Sequence, residues 1–386
     1  MSTASDLRRI RPTWADIDVG AFRRNVEAVS SRLPAGSRLI AVLKADAYGH
    51  GAAELARHCS PDHVAMIATS LLEEAQQLRR TGITLPLLVL GPLGEAQVRE
   101  AVESGIVIGV PGPEELEIVA RMARERDVEV HLKLDSGMGR MGSTEADLPR
   151  LIELVRSASR LRVGAIYTHF ANAGDPHDPF TGEQSARFDG MVQSLREAGV
   201  GAPLHHRANS GATMRGLVKA GELVRVGLAL FGAEAVDSAV TRLEPVMRWR
   251  TEIARLKELP SGHAVGYGMA FRTTRPSRIA TLPVGYADGY DRQLSNKAEV
   301  LIRGRRVRVV GRVSMDLVTV DVTDLPDAAA GDEVVLLGSQ QHGTITPEEL
   351  AVKIGTISYE VFCSVSARVP RVYRDGEGAV IRSRFT

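Results

Sequence analysis

The chain has 386 residues, with 48 Lys+Arg against 47 Asp+Glu and a net charge of +1. That length predicts two or three domains, and the charge balance excludes an extended basic surface built for nucleic acid. With 25% charged and 44% hydrophobic residues, disorder is excluded as the main theme. The two cysteines, Cys59 and Cys363, exclude a disulfide framework and a cysteine-built zinc site, and no metal is expected. The polar N-terminus carries Arg8, Arg9 and Arg11 and shows no apolar core of a secretory signal. The longest apolar runs, such as Leu85–Leu90, are far too short to span a membrane. A reducing, cytoplasmic setting is therefore expected.

A helix over Val19–Ser31 comes first. Short apolar or β-branched runs then recur at Arg38–Leu43, His63–Ala68, Pro86–Leu90, Ile106–Val110, Val128–Leu134, Val163–His169, Pro203–Ala208 and Leu223–Val226. Helical patterns lie between them. Leu71–Leu78 has Ser70 as N-cap and Glu73 three positions on, and Pro113–Arg126 has proline in its first turn. Ala146–Ser157 and Gln184–Ala198 follow. Eight alternating units predict right-handed βαβ connections and a parallel sheet. In roughly 200 residues they favour a closed (β/α)8, TIM-like barrel over an open doubly wound sheet. After about residue 240 the texture becomes short strands punctuated by glycine: Val300–Ile302, Arg306–Val310, Leu317–Val322, Glu333–Leu337 and Phe362–Val369. The division expected is a barrel over 1–240 and a mostly-β domain over 241–386, with the first dozen residues free to pack on the latter.

A barrel places chemistry at the C-terminal ends of its strands. Strand one ends Ala41-Val-Leu-Lys-Ala-Asp-Ala-Tyr-Gly-His-Gly51. Partial burial would lower the pKa of Lys44 and suit an amine nucleophile, although a lone lysine is more often a solvated cation. Strand five leads to Gly137, Gly139 and Gly142 in a G-x-G-x-x-G pattern. No helix opens there directly and no acid follows about 20 residues on, so dinucleotide binding is disfavoured. Arg140 is instead a donor on that loop. Lys133, inside a barrel strand, needs a partner or a modification. His169, at the end of strand six, suits a base, a ring platform or a satisfied core histidine. Asn209, Ser210 and Gly211 open a helix after strand seven. Arg225 interrupts the apolar strand eight and needs an acceptor, and Gly227 lets backbone approach a ligand. An amine on strand one with an anion cradle after strands seven and eight suits pyridoxal 5′-phosphate.

The motifs resemble those of bacterial alanine racemases over nearly the whole chain, about Pro12 to Tyr373. They are Ala41 to Gly51, Gly137-Met-Gly-Arg140, Thr168-His-Phe-Ala171, Ala208-Asn-Ser210, Val265-Gly-Tyr-Gly268, Gly285-Tyr-Ala-Asp-Gly289, Ser314-Met-Asp316, Gly355-Thr-Ile-Ser-Tyr-Glu360 and Val369-Pro-Arg371. The resemblance implies a pyridoxal-phosphate enzyme that interconverts L- and D-alanine and supplies D-alanine for peptidoglycan. Lys44 would carry the cofactor and act as one base. Tyr267, reaching across a homodimer, would be the other. Arg225 would face the ring nitrogen, with His169 against the ring. Tyr48, Asn209, Ser210, Gly227, Leu228 and Tyr359 would complete the cofactor site. Arg140 and the backbone of Met315 would take the substrate carboxylate, and Lys133 would be carbamylated. Tyr286, Arg292, Arg312 and Asp175 would line an access corridor. The chain departs from the family pattern at Val226 and Phe231, where Pro and Tyr are usual, at Ser314, and in a loop one residue longer before Asp175.

Two other readings compete. A single-barrel pyridoxal-phosphate carrier would lack residues 241–386 and hence Tyr267. Another enzyme of the same fold type, such as a broad-specificity racemase or a decarboxylase, would keep the barrel. Cys59, in an expected helix, and Cys363, in an expected strand, read as small core residues.

Overall fold

The computed structural model describes residues 11–233, 243–376 and 378–382. Eight parallel strands form one sheet: Arg38–Val42, Val64–Thr69, Leu87–Val89, Val107–Val110, Val128–Lys133, Leu161–Tyr167, Leu204–His206 and Leu223–Val226. The first seven pair in sequence order and the first also pairs with the eighth, Ile40 opposite Arg225, so the seventh and eighth are the two ends of the sheet. Between the seventh and eighth strands the Arg225 N–H still donates to the Ala208 carbonyl at 2.9 Å. The result is a nearly closed (β/α)8, TIM-like barrel, its strands buried on both sides as parallel strands must be.

The other large sheet is built mainly from the C-terminal part. One of its inner strands, however, is Thr13–Asp18, which pairs antiparallel with Met247–Glu252 and parallel with Arg371–Asp375. The expectation that the first dozen residues join this part falls mostly on 1–10, which lie outside the described residues. From Asp18 the chain turns straight into the helix Val19–Ser30, with the Asp18 carboxylate accepting from the Ala21 N–H at 2.7 Å. One continuous apolar core runs from the barrel strands through Phe22 and Phe231 to Val246, Met247 and Trp249, so the two parts pack without a linker layer.

Several expected elements move. Phe362–Val369 is not a strand: Ser358–Ser364 is a helix. Its buried positions, Ser358, Val361, Phe362 and then Val365, follow helical spacing, which a short apolar run conceals. Cys363 consequently lies on the exposed side of that helix and is not a core residue, whereas Cys59 is buried. The helix expected from Leu71 begins at Leu72, and its N-terminus is held by Glu74 rather than by Ser70 and Glu73. The helix expected to reach Arg126 stops at Met122, and the one expected from Gln184 starts at Phe180.

Gly51 shows how closely the C-terminal part presses on the Lys44 loop. Its φ is +97°, and a Cβ there would sit 1.6 Å from the Tyr373 hydroxyl. Gly51→Ala is expected to lower stability by about 2–4 kcal/mol through backbone strain and overlap, read as the shift in the urea midpoint at unchanged m.

Candidate active site

The C-terminal mouth of the barrel holds a cavity of about 420 Å³, within the range of small-molecule sites. Strand one delivers Lys44 to it, and the turn after that strand delivers Tyr48. Lys133 and Arg140 come from strand five and its loop, and Tyr167 and His169 from strand six. Asn209 and Ser210 follow strand seven, Arg225, Gly227 and Leu228 come from strand eight and its end, and Tyr359 enters from the C-terminal part. The lining includes four cationic side chains, Lys44, Lys133, Arg140 and Arg225, and no carboxylate. Such a set favours an anionic occupant.

Lys44 leads into an unusual turn. Ala45, Asp46, Ala47 and Tyr48 all have φ between +52° and +54°, a left-handed turn of four residues with Cβ atoms. Each such residue costs roughly 1–2 kcal/mol, so the turn persists only where its surroundings hold it. The holders are on hand. The Glu74 carboxylate accepts from the Ala45 N–H at 2.6 Å, and the Asp46 carboxylate accepts from the Ala52 N–H at 2.7 Å. His50 is fully buried, with Nδ1 3.0 Å from the carbonyls of Ala47 and Tyr48. Burial lowers its pKa to about 3, so it stays neutral and Nδ1–H donates to both. Arg371 Nε reaches the Gly49 carbonyl at 2.9 Å. Burial, and then Arg140, lower the pKa of Lys44.

Arg225 organises the opposite wall. Its Nη1 donates to the carbonyl and Nδ1 of His206 at 2.7 and 2.8 Å. Its Nη2 donates to the Thr168 carbonyl at 2.7 Å and to His169 Nδ1 at 3.0 Å. Arginine cannot accept, so both histidines must present a bare Nδ1 and carry their proton on Nε2. His206 Nε2–H then donates to His131 Nδ1 at 2.9 Å. Burial and the adjacent guanidinium hold His169 and His206 well below the ordinary histidine range. The acceptors that Arg225 needs are therefore neutral rings and carbonyls.

The Gly137–Gly142 loop has an account of its own. Asp135 Oδ1 accepts from the N–H groups of Gly137 and Met138 at 2.8 and 2.7 Å, and Oδ2 accepts from Gly139 at 2.9 Å. The backbone donors that a dinucleotide would need are taken, and the loop serves to present Arg140. The Gly227 N–H donates to Ser210 Oγ at 3.1 Å, and a Cβ on Gly227 would lie 2.4 Å from the Tyr48 hydroxyl. Glycine there is what lets the three groups meet.

The remaining expected site residues stand elsewhere. Tyr267, Tyr286, Arg292, Arg312 and Met315 are exposed in the C-terminal part, outside the cavity. The Tyr286 N–H bonds the Ser314 carbonyl at 3.0 Å, and Gly268 lies against Arg312, so much of this set is assembled on one face. Asp175 is exposed and accepts from the His177 N–H at 2.8 Å within its own loop. Glu74, Asp135, His131 and His206 are the supporting residues that sequence reasoning missed. Nothing in the spacing of Glu74 or His206 signals their partners, although Asp135 precedes its glycine loop directly.

Residues 17–235 match the alanine racemase N-terminal domain, and residues 246–373 match the alanine racemase C-terminal domain. The chain belongs to the alanine racemase family. The alanine racemase of Symbiobacterium thermophilum is 40% identical over 372 residues, covering 95% of this chain and 98% of the relative. The solved alanine racemase of Clostridium difficile 630 superposes with a TM-score of 0.90 at 34% identity, covering 96% and 98% of the two chains. That of Bartonella henselae, with covalently bound pyridoxal phosphate, has a TM-score of 0.85 at 28% identity, covering 94% and 99%. This family of isomerases has the same two parts as the chain described here.

Lys133 yields a pH prediction. Burial, then Arg140 and Arg225, push its pKa down to about 8 from 10.5. Below pH 8 the folded state bears the full cost of the charge. Between the two values the unfolded chain binds the extra proton, so this contribution to stability rises with pH. In CO2-free buffer, Lys133→Met should be more stable than the parent at pH 7, and the gap should shrink by pH 10. Urea unfolding at the two pH values checks it.

Proposed function

We propose that this chain is a pyridoxal 5′-phosphate-dependent racemase that interconverts L- and D-alanine with two bases, Lys44 and Tyr267 of the partner subunit. The observation that carries the reading is the cavity with an amine at the end of strand one, four cations and no carboxylate in its lining. The residues fit the cofactor. Ser210 Oγ already accepts from the Gly227 N–H, so its own proton is left to donate to a phosphate oxygen beside Tyr48 and Tyr359. Asn209 accepts from the Ala212 N–H at 3.0 Å and so fixes the turn that carries Ser210, while Leu228 closes the wall. The Bartonella henselae relative supports the same cofactor.

When bound, pyridoxal phosphate supplies an electron sink that acidifies the substrate's α-proton. The chain's own residues do the rest. Lys44, its pKa lowered, holds or takes a proton on one face. Arg225 has four N–H groups engaged with His206, His169 and Thr168, and we assign the remaining Nε–H to the ring nitrogen. It donates without giving up its proton, which moderates the sink. His169, fixed with Nε2–H outward by the same guanidinium, eases the proton off Tyr267 of the partner subunit. Arg140 takes the substrate carboxylate, together with the Met315 backbone of the partner subunit. Lys133, as a neutral amine, adds to CO2, forming an N–C bond and releasing a proton. The resulting anion would pair with Arg140.

A homodimer follows from the split between cavity and exposed face. Tyr267, Met269, Tyr286, Met315 and Leu317 are 42–72% exposed in the single chain, a concentration of apolar surface that marks an interface. Tyr286, Arg292, Arg312 and Asp175 would line the way in, and the tyrosines would leave room for little beyond a methyl side chain. The C-terminal part that the single-barrel carrier lacks is present here. Among the described residues no helix is long and apolar enough to cross a membrane. Both cysteines are free thiols, which suits a reducing cytoplasm, and the product would serve peptidoglycan synthesis.

Two measurements test this. Lys44→Ala and Tyr267→Phe should each be inactive, while hybrid dimers of the two should regain one native site in L- to D-alanine conversion. Silence in demonstrated heterodimers would reject a shared site. Arg225→Glu should slow racemisation and raise the share of transamination, and an unchanged product ratio would refute the role given to Arg225.

A further inference from the structure

We infer that Glu74 is the positioning residue that aims Lys44, by tying the start of the left-handed turn to the helix after barrel strand two. The inference rests on the assignment of Lys44 as the cofactor-bearing amine. Glu74 lies in the first turn of the helix Leu72–Arg80, 29 residues from Ala45 in sequence. Its carboxylate joins two elements through three N–H groups. Oε1 accepts from Ala45 at 2.6 Å, and Oε2 accepts from Ser70 and Leu71 at 2.9 and 3.1 Å. Ser70 and Lys44 both line the cavity, so the bridge runs along its rim.

The position of the first bond matters. The Ala45 N–H belongs to the peptide plane leaving Lys44, and that plane is rigid. Fixing it fixes ψ of Lys44 and the entry into the left-handed turn, and with them the Cα–Cβ direction of the lysine. The other anchors, Asp46 on Ala52, His50 on Ala47 and Tyr48, and Arg371 on Gly49, grip the turn from its second residue onward. Glu74 grips its first residue. Burial and then Arg140 lower the pKa of Lys44, and the Glu74 carboxylate is among the charges that oppose the shift.

Glu74→Gln separates the two halves of the bridge. The amide keeps one acceptor oxygen for Ser70 and Leu71, and turns an N–H2 donor toward the Ala45 N–H. The test uses the full-length apoprotein and free pyridoxal phosphate as the probe. Covalent loading of Lys44 is followed by absorbance against pH, then trapped with borohydride and mapped to the peptide. Glu74→Gln should melt within about 2 °C of the parent. It should load Lys44 at least about tenfold more slowly, as expected of a misaimed nucleophile. Its loading profile should also move to lower pH, because a negative charge near the lysine is gone. A parent rate and parent pH profile in Glu74→Gln would overturn the inference. If Glu74→Gln alone folds poorly, it is repeated with Ala45→Gly, since glycine takes positive φ without steric cost. There the melting point should recover while slow loading persists, and recovery of both would overturn the inference. Failure of the parent itself to load at Lys44 would instead refute the cofactor assignment beneath it.

Discussion

Four cations share one cavity, and everything around them answers to that fact. Lys44, Lys133, Arg140 and Arg225 line it without a carboxylate, so no internal ion pair relieves their repulsion. Burial first, and then the Arg140 charge, lowers the proton affinity of both lysines, Lys133 down to about 8. Burial lowers the proton affinity of Arg225 as well, and it also surrounds itself with neutral acceptors and fixes the tautomers of His169 and His206. In the proposed function, an anionic ligand would supply what the protein lacks: a phosphate, a carboxylate, a carbamate. The apparent electrostatic defect of the barrel mouth is its specificity for charge.

The second constraint is mechanical. A lysine proposed to meet a cofactor ring squarely cannot sit on a wandering loop, and a normal right-handed turn would aim it elsewhere. The left-handed run from Ala45 to Tyr48 solves the direction at the cost of strain. The strain is then absorbed by groups from three regions: Glu74 in the barrel, His50 in the loop, and Arg371 from the C-terminal sheet. An inner strand of that sheet, Thr13–Asp18, comes from the other end of the chain. The β part thus serves the barrel's lysine within a single chain.

Much of the fold was legible because parallel barrel strands are buried on both sides and read as uninterrupted apolar runs. Arg38–Val42 and Val64–Thr69 stand out for that reason. Polar residues at their ends are conspicuous, so Lys44, Lys133 and Arg225 could be singled out before the site was assembled. Phe362–Val369 misled because a short apolar run cannot by itself tell a strand from one face of a helix. Glu74 and His206 stayed invisible because their importance lies in which backbone or ring they touch, and those partners are distant in sequence.

By itself, the sequence determined the alternation of strands and helices, the change of texture near residue 240, and the set of side chains available at the strand ends. Those depend on local composition and period. Only the tertiary structure decided that four cations meet in one cavity, that the turn after Lys44 is left-handed, and that Tyr267 stands away from the cavity of its own chain. These are properties of distance and direction. Barrel closure and the packing of the two parts set them, joining residues that no short window of sequence contains.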